Sequence, residues 1–321
     1  MLKFIGLPVL SLVFASCLAL PSQAQDFPTG TVRIVVPFAP GGATDTVARI
    51  IADQLQMQWK HPVILEHKPG AGTTIGADFV AKSPPNGHTI GLVNSAFPLN
   101  PFLRKKMPYD TAKDFKPVSL VGGIHSALAA RPDAPFNNVK EMVAYARANP
   151  GKLNYGLSAV GSLGHLTVEL LKHQERLEIV NIPFKGGAQV MNEMAAGRVD
   201  IASDSFTVML PHIKSGKLKL LGTLGEKRVP GYDYPTVAET LPGLSAESGT
   251  GLVVPSGTPD AVVQKISADV AKVVAQPAVR KRLEELGIEV VGSTPAQFED
   301  YLRSVSAKWG KLIAEQNIVL D

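Results

Sequence analysis

The stretch Val32-Arg33-Ile34-Val35-Val36-Pro37-Phe38-Ala39-Pro40-Gly41-Gly42-Ala43-Thr44-Asp45 joins a β-branched run to a helical pattern through a loop of Pro and Gly. Its first five residues read as a buried strand. Gly41-Gly42 breaks the strand, and Val47, Ala48, Ile51, Ala52 and Leu55 recur on one helical face from about Thr44. The same rhythm continues. Strands are expected over residues 63–66, 89–93, 154–156, 179–183, 219–224 and 251–254, with extended segments at 118–121 and 126–130. Helices are expected over 76–82, 138–148, 188–196, 259–275 and 277–286, and from Leu163. A long last helix starts at Thr294-Pro295, where Gln297 completes a capping box. Strands alternating with helices imply an α/β fold, a mostly parallel sheet covered by helices on both faces. The turn-rich segment 225–249, with Pro230-Gly231, Pro235 and Pro242-Gly243, reads as a connection between two lobes.

The chain has 321 residues, 45% hydrophobic and 19% charged, which suits one or two packed lobes rather than a disordered chain. A single cysteine excludes an intramolecular disulfide. At the N-terminus Lys3, an apolar run over residues 4–20 and Ser22-Gln23-Ala24 read as a secretory signal peptide of residues 1–24, cleaved before Gln25. A membrane anchor is the first alternative, against which stand Pro8 and the cleavage site. A lipoprotein signal through Cys17 is the second, against which stand Phe14 and the apolar residues after the cysteine. Cleavage leaves a charge of (32 − 1) − 28 = +3, spread along the chain. That pattern argues against a nucleic-acid partner.

Catalytic signatures are missing. There is no phosphate-binding G-x-x-x-x-G-K-[ST] and no G-x-G-x-x-G after a strand. Gly156-Leu157-Ser158-Ala159-Val160-Gly161 has one residue too many for a nucleophile elbow. The seven histidines form no H-E-x-x-H spacing, so neither metal nor cofactor is expected.

Three loops carry the functional reading. In the first, Gly41 and Gly42 let the backbone approach a ligand and adopt positive φ, and the following helix start offers unpaired N–H groups to an anion. The alternative is a tight turn with Thr44 as helix cap and Asp45 favoured by the dipole of the first turn. The second is Ser158-Ala159-Val160-Gly161-Ser162-Leu163-Gly164-His165, and the third is Pro183-Phe184-Lys185-Gly186-Gly187. Both lie between a strand and a helix. His165 is a ligand contact or a core or capping histidine. Ser162 and His165, three apart, allow a hydrolase dyad on one helix face, although no third member is evident.

At these residues the chain resembles the substrate-binding proteins of tripartite tricarboxylate transporters, the Bug (TctC-like) family, from about Phe27 to the C-terminus. The segment Arg33 to Asp45, Glu66-His67-Lys68-Pro69-Gly70-Ala71-Gly72 and Pro85-Asn86-Gly87-His88-Thr89-Ile90 carry the resemblance. So do Pro183-Phe184-Lys185-Gly186-Gly187-Ala188, Gly197-Arg198-Val199-Asp200, Pro235-Thr236-Val237-Ala238-Glu239 and Pro255-Ser256-Gly257-Thr258-Pro259, in the family's order. The chain departs from the family's pattern at Glu247-Ser248-Gly249-Thr250-Gly251 and at Ile201 to Phe206.

The resemblance implies a two-lobed periplasmic-binding-protein (flytrap) fold, with residues 26–123 plus 250–321 in lobe 1 and 124–249 in lobe 2. It implies a periplasmic, non-enzymatic monomer that holds a small carboxylate for membrane transporter subunits or, alternatively, presents it to a membrane sensor. The expected contacts are Phe38, Pro40, Gly41, Gly42, Thr44, Asp45, Ser95, Ser158, Gly161, Ser162, His165, Lys185 and Asp204. Asp45 would accept from an ammonium group if the ligand is an amino acid.

Overall fold

The computed structural model describes residues 27–158, 161–184, 186–285, 287–315 and 318–319. The expected signal peptide, residues 1–24, and with it Cys17 lie outside the described residues. The chain opens with β1 (Val32–Val36), α1 (Ala43–Trp59), β2 (Val63–His67), α2 (Thr74–Ala81), β3 (Thr89–Val93) and α3 (Ala96–Leu103). β1 lies between β2 and β3, parallel to both, with Val36 opposite His67 and Val35 opposite Gly91. The β-branched residues of β1 are buried and α1 covers them with Val47, Ile51 and Leu55.

Next comes β4 (Phe115–Ala130), then α4 (Val139–Ala148), β5 (Leu153–Leu157), α5 (Leu163–Glu175), β6 (Ile179–Pro183), α6 (Gly187–Ala195), β7 (Ile201–Ser205), α7 (Phe206–Lys214) and β8 (Lys219–Thr223). β5 is parallel to β6 and to β7, with Leu157 opposite Pro183 and Ser203. The chain ends with β9 (Glu247–Pro255), α8 (Asp260–Ala275), α9 (Pro277–Glu285), β10 (Ile288–Val290) and α10 (Pro295–Glu315). The sheet is therefore mixed, in the order β2-β1-β3-β9-β4-β7-β5-β6, parallel at both flanks and antiparallel at β9 and β4 between them.

Several elements depart from the sequence reading, which expected neither the short, Ser- and Asp-containing β7 nor the three-residue β10. Residues 118–121 and 126–130 belong to one strand of 16 residues, because Gly122 and Gly123 stay extended between β9 and β10. A Cβ on Gly122 would come within 2.5 Å of the Glu289 carbonyl, so the glycine admits β10. α3 and α7 escaped the pattern because each contains an interior proline, Pro101 and Pro211. Burial of Phe97, Leu99 and Leu103 on α3, and of Phe206, Met209 and Leu210 on α7, outweighs the lost backbone bond. The capping box at the last helix forms as expected: Thr294 N–H donates to Gln297 Oε1 (3.0 Å) and Gln297 N–H to Thr294 Oγ1 (3.3 Å).

The C-terminal helix returns to the sheet through a groove made by two glycines. Gly249 and Gly251, on one face of β9, leave the space into which Tyr301 and Phe298 of α10 project. The Tyr301 hydroxyl then accepts from Gly249 N–H at 2.6 Å and lies 3.0 Å from Ser95 Oγ. Gly251→Ala is expected to push the buried Phe298 ring out of this groove, at a cost of about 1–3 kcal/mol. Denaturant unfolding would show a lower midpoint at an unchanged slope. An unchanged midpoint would mean the groove yields.

Candidate functional site

In parallel strands the carboxyl ends lie together, and the register here places them with no freedom. Val36, His67 and Val93 end on one edge of the first half, and Leu157, Pro183 and Ser205 on one edge of the second. Each leads into a helix, all but Ser205 through a loop, the usual location of a ligand in an open α/β sheet. The two edges meet through one apolar cluster. Leu99 and Leu103 of α3, which starts after β3, pack with Leu163 and Leu166 at the start of α5, under Val305 and Trp309 of α10.

In the first loop Phe38 is half-buried against the α1 core, while Pro40 and Gly41 are exposed and Thr44 half-exposed. Gly41 has φ +93°, so it needs glycine. Gly42 does not: its φ of −84° and ψ of 172° are extended, and a Cβ there would meet nothing within 4 Å. The expectation that both glycines serve positive φ is therefore corrected to Gly41 alone. Gly42, not Thr44, is the helix N-cap, and no side chain caps it.

Asp45 is 4% exposed, and its carboxylate is already engaged. It accepts from Gly41 N–H (2.9 Å) and lies 2.7 Å from His67 Nε2, with Arg49 Nη2 at 3.3 Å. Burial pushes its pKa up, but the bonds from Gly41, His67 and Arg49 outweigh this and hold it below the usual range. Asp45 thus fastens the loop to β2.

The loop after β2, which sequence reasoning used only as a resemblance, is the most strained backbone here. Gly70, Ala71, Gly72 and Thr73 have φ of 126°, 44°, 57° and 81°. Two of the four carry a Cβ, a conformation that costs about 1–3 kcal/mol per residue and persists only when its surroundings enforce it. Asn100 of α3 does so, donating to Gly72 O at 2.9 Å. The sequence signal for this turn is the Gly70-x-Gly72 pair.

In the second half, Gly161 has φ +79° and is buried, and its N–H donates to His165 Nδ1 (3.1 Å). Ser162 is the N-cap of α5, its hydroxyl accepting from His165 N–H at 3.2 Å. The contact between Ser162 and His165 therefore runs through the backbone amide, while the imidazole serves Gly161. That arrangement does not activate the Ser162 hydroxyl. Ser158 donates to Asp204, whose other partner is Ser205 N–H at 2.7 Å. Burial pushes the Asp204 carboxyl upward against these two bonds. Gly164 and Gly187 let the starts of α5 and α6 close onto β7: a Cβ would collide with Ser203 Oγ at Gly164 (2.8 Å) and with the Asp204 carboxylate at Gly187. Ser95 is buried at the start of α3, bonded to Tyr301. Lys185 lies outside the described residues. Among the described residues, no three His, Cys, Asp or Glu side chains gather as metal ligands.

Behind His165 stands Glu169, its Oε1 3.6 Å from Nε2. The same oxygen accepts from Asn181 Nδ2 (2.7 Å) and Lys172 Nζ (2.9 Å). Burial alone would raise this carboxyl, but the contacts with His165, Asn181 and Lys172 pull it from 4.5 to about 2.

Comparison with known proteins matches residues 47–318 to the model of the tripartite tricarboxylate transporter family receptor. Three solved structures are similar, each 32% identical to this chain. Rpa4515 of R. palustris with adipate has a TM-score of 0.87 over 92% of this chain and 100% of that one. The periplasmic binding protein BugD has a TM-score of 0.84 with the same coverage. MatC from Rhodopseudomonas palustris with bound malate has a TM-score of 0.82 over 89% and 100%.

Glu169 yields a pH test. Its carboxyl is depressed in the folded chain, so its contribution is complete above the unfolded value of 4.5 and fades as pH falls toward about 2. Glu169→Gln is expected to cost on the order of 3 kcal/mol at pH 7. The deficit should shrink between pH 5 and pH 3 in chemical denaturation, and a pH-independent deficit would contradict this account.

Proposed function

The chain belongs to the tripartite tricarboxylate transporter receptor family, and from that premise we propose that it is a periplasmic solute-binding protein that captures a small organic anion for a membrane transporter of that type. The observation that carries this reading is the gathering of glycine loops and helix starts at the carboxyl ends of two parallel strand sets. We place lobe 1 at residues 26–123 plus 250–321 and lobe 2 at 124–249, with the ligand between them. The anion is held by the first-turn N–H groups of α1 and α5, with the Thr44 hydroxyl beside them, while Ser158 donates to Asp204. Asp45 and His165 act from behind the loops rather than on the ligand.

Magnitudes support a site built mostly from amides. Each hydrogen bond to a charged group contributes about 1.5–3 kcal/mol net. A few supply the roughly 8 kcal/mol of micromolar binding once ordering costs are met. The adipate and malate held by two relatives favour a dicarboxylate of that size.

A thermal-shift screen of the purified chain against malate, adipate, citrate and amino acids tests the reading, since a bound anion raises the midpoint with concentration. The anion should be recovered unchanged after incubation. Stabilisation by neutral solutes alone, or conversion of the anion, would defeat the proposal. Asp204 offers a second test. Its raised carboxyl means that its ionised form disfavours the folded chain at neutral pH. Asp204→Asn is expected to stabilise the ligand-free chain at pH 7, with the gain vanishing at acid pH, and to tighten dicarboxylate binding. Weaker binding of every dicarboxylate would instead make Asp204 a direct acceptor for a donor on the ligand.

A further inference from the structure

The two glycine loops are fastened by the same device, assembled in opposite order. In the first, Gly41 N–H donates to the carboxylate of Asp45, four residues on, and a histidine, His67, stands behind it. In the second, Gly161 N–H donates to the imidazole of His165, four residues on, and a carboxylate, Glu169, stands behind it. Each is a histidine–carboxylate pair, and either member can face the glycine.

The helix caps do not explain these pairs. The N-cap of α5 is satisfied by Ser162 Oγ, which accepts from the His165 amide. The His165 ring is left for Gly161, whose N–H lies outside the helix and is buried. An unpaired buried N–H costs about 1–3 kcal/mol. The ring has one way to meet this need. To accept at Nδ1 it must carry its proton on Nε2, which points to Glu169. Glu169 is in turn fixed by Lys172 on α5 and Asn181 on β6, so the ring orientation is set from outside the loop. On the other side His67 Nε2, 2.7 Å from an Asp45 oxygen, is the donor that leaves the second oxygen for Gly41.

We propose that His165–Glu169 and Asp45–His67 are positioning pairs: by taking the N–H of Gly161 and Gly41 they orient the peptide planes from which the first-turn amides of α5 and α1 meet the ligand. This rests on the anion-binding reading above. Neither pair touches the ligand, so both act through the loops.

The ring tautomers are read first, on the ligand-free, 15N-labelled full chain. Long-range proton–nitrogen correlation should find His165 protonated at Nε2 and bare at Nδ1, and His67 protonated at Nε2. Two variants then separate acceptor from bulk. His165→Asn keeps an acceptor at the Nδ1 position, whereas His165→Phe keeps bulk and loses the acceptor. His165→Phe should speed exchange of the Gly161 amide and weaken malate or adipate binding, each about tenfold, the equivalent of one such bond. His165→Asn should restore both to within about threefold. Glu169→Gln, which spares the packing, should shift the His165 tautomer balance. A wild-type His165 protonated at Nδ1 would overturn the proposal, as would a His165→Phe chain with undiminished Gly161 protection and anion binding. If wild type shows the expected tautomers and exchange pattern yet ignores every anion tested, the anion reading falls and the positioning of the loops stands.

Discussion

Strand β4 is the constraint on which the rest of the structure depends. Residues 115–125 pair with β9, and residues 126–130 of the same strand pair with β7. One continuous backbone therefore carries both halves of the sheet, and its register fixes where each set of parallel strands ends. The strand stays continuous although its pairing with β9 shifts register between Pro117 and Ser119 and between Leu120 and Gly122. Gly122 admits β10 on one side, while Gly249, opposite Gly123, admits Tyr301. A side chain at Gly122 or Gly249 would collide with Glu289 or Tyr301 and force the strand away from that neighbour, and the two carboxyl edges would no longer share the apolar cluster of α3, α5 and α10.

Around that frame, three carboxylates sit near a site proposed for an anion, an arrangement that bare charge repulsion opposes. Their bonding resolves it. Asp45 is held below its usual range by Gly41, His67 and Arg49, and Glu169 by His165, Asn181 and Lys172. Both charges are spent inside the protein, where they order loops. Asp204 differs. It receives Ser158 and one backbone amide, and burial pushes it upward. The balance of desolvation against partners thus sorts three carboxyl groups into two that are held ionised and one that burial pushes upward.

The loops were legible for a local reason. A strand that runs into Pro-x-x-Pro-Gly-Gly or Gly-Ser and then a helical face can only turn at its carboxyl end, so Gly41, Gly161, Ser162 and His165 were placed correctly in loops or helix starts. Their partners were not legible. Asp45 reads equally as a ligand contact and as a first-turn residue until His67, 22 positions away, is seen against it. His165 reads as one of seven scattered histidines until Gly161 is found on its Nδ1. The role of Gly42 was misjudged because sequence does not distinguish a glycine at positive φ from one that is merely exposed.

By itself the sequence determined the alternation of strands and helices and the helix cap at Thr294, and its ordered motifs carried the resemblance to the family. The alternation and the cap follow from periodicity and from short-range hydrogen bonds, which act between residues close along the chain. Only the tertiary structure decided that β4 runs unbroken, that Phe298 and Tyr301 fill the space over Gly251 and Gly249, and which side chain consumes each glycine amide. Those depend on contacts between residues far apart in sequence, where burial sets the cost of an unmet hydrogen bond and so selects its partner.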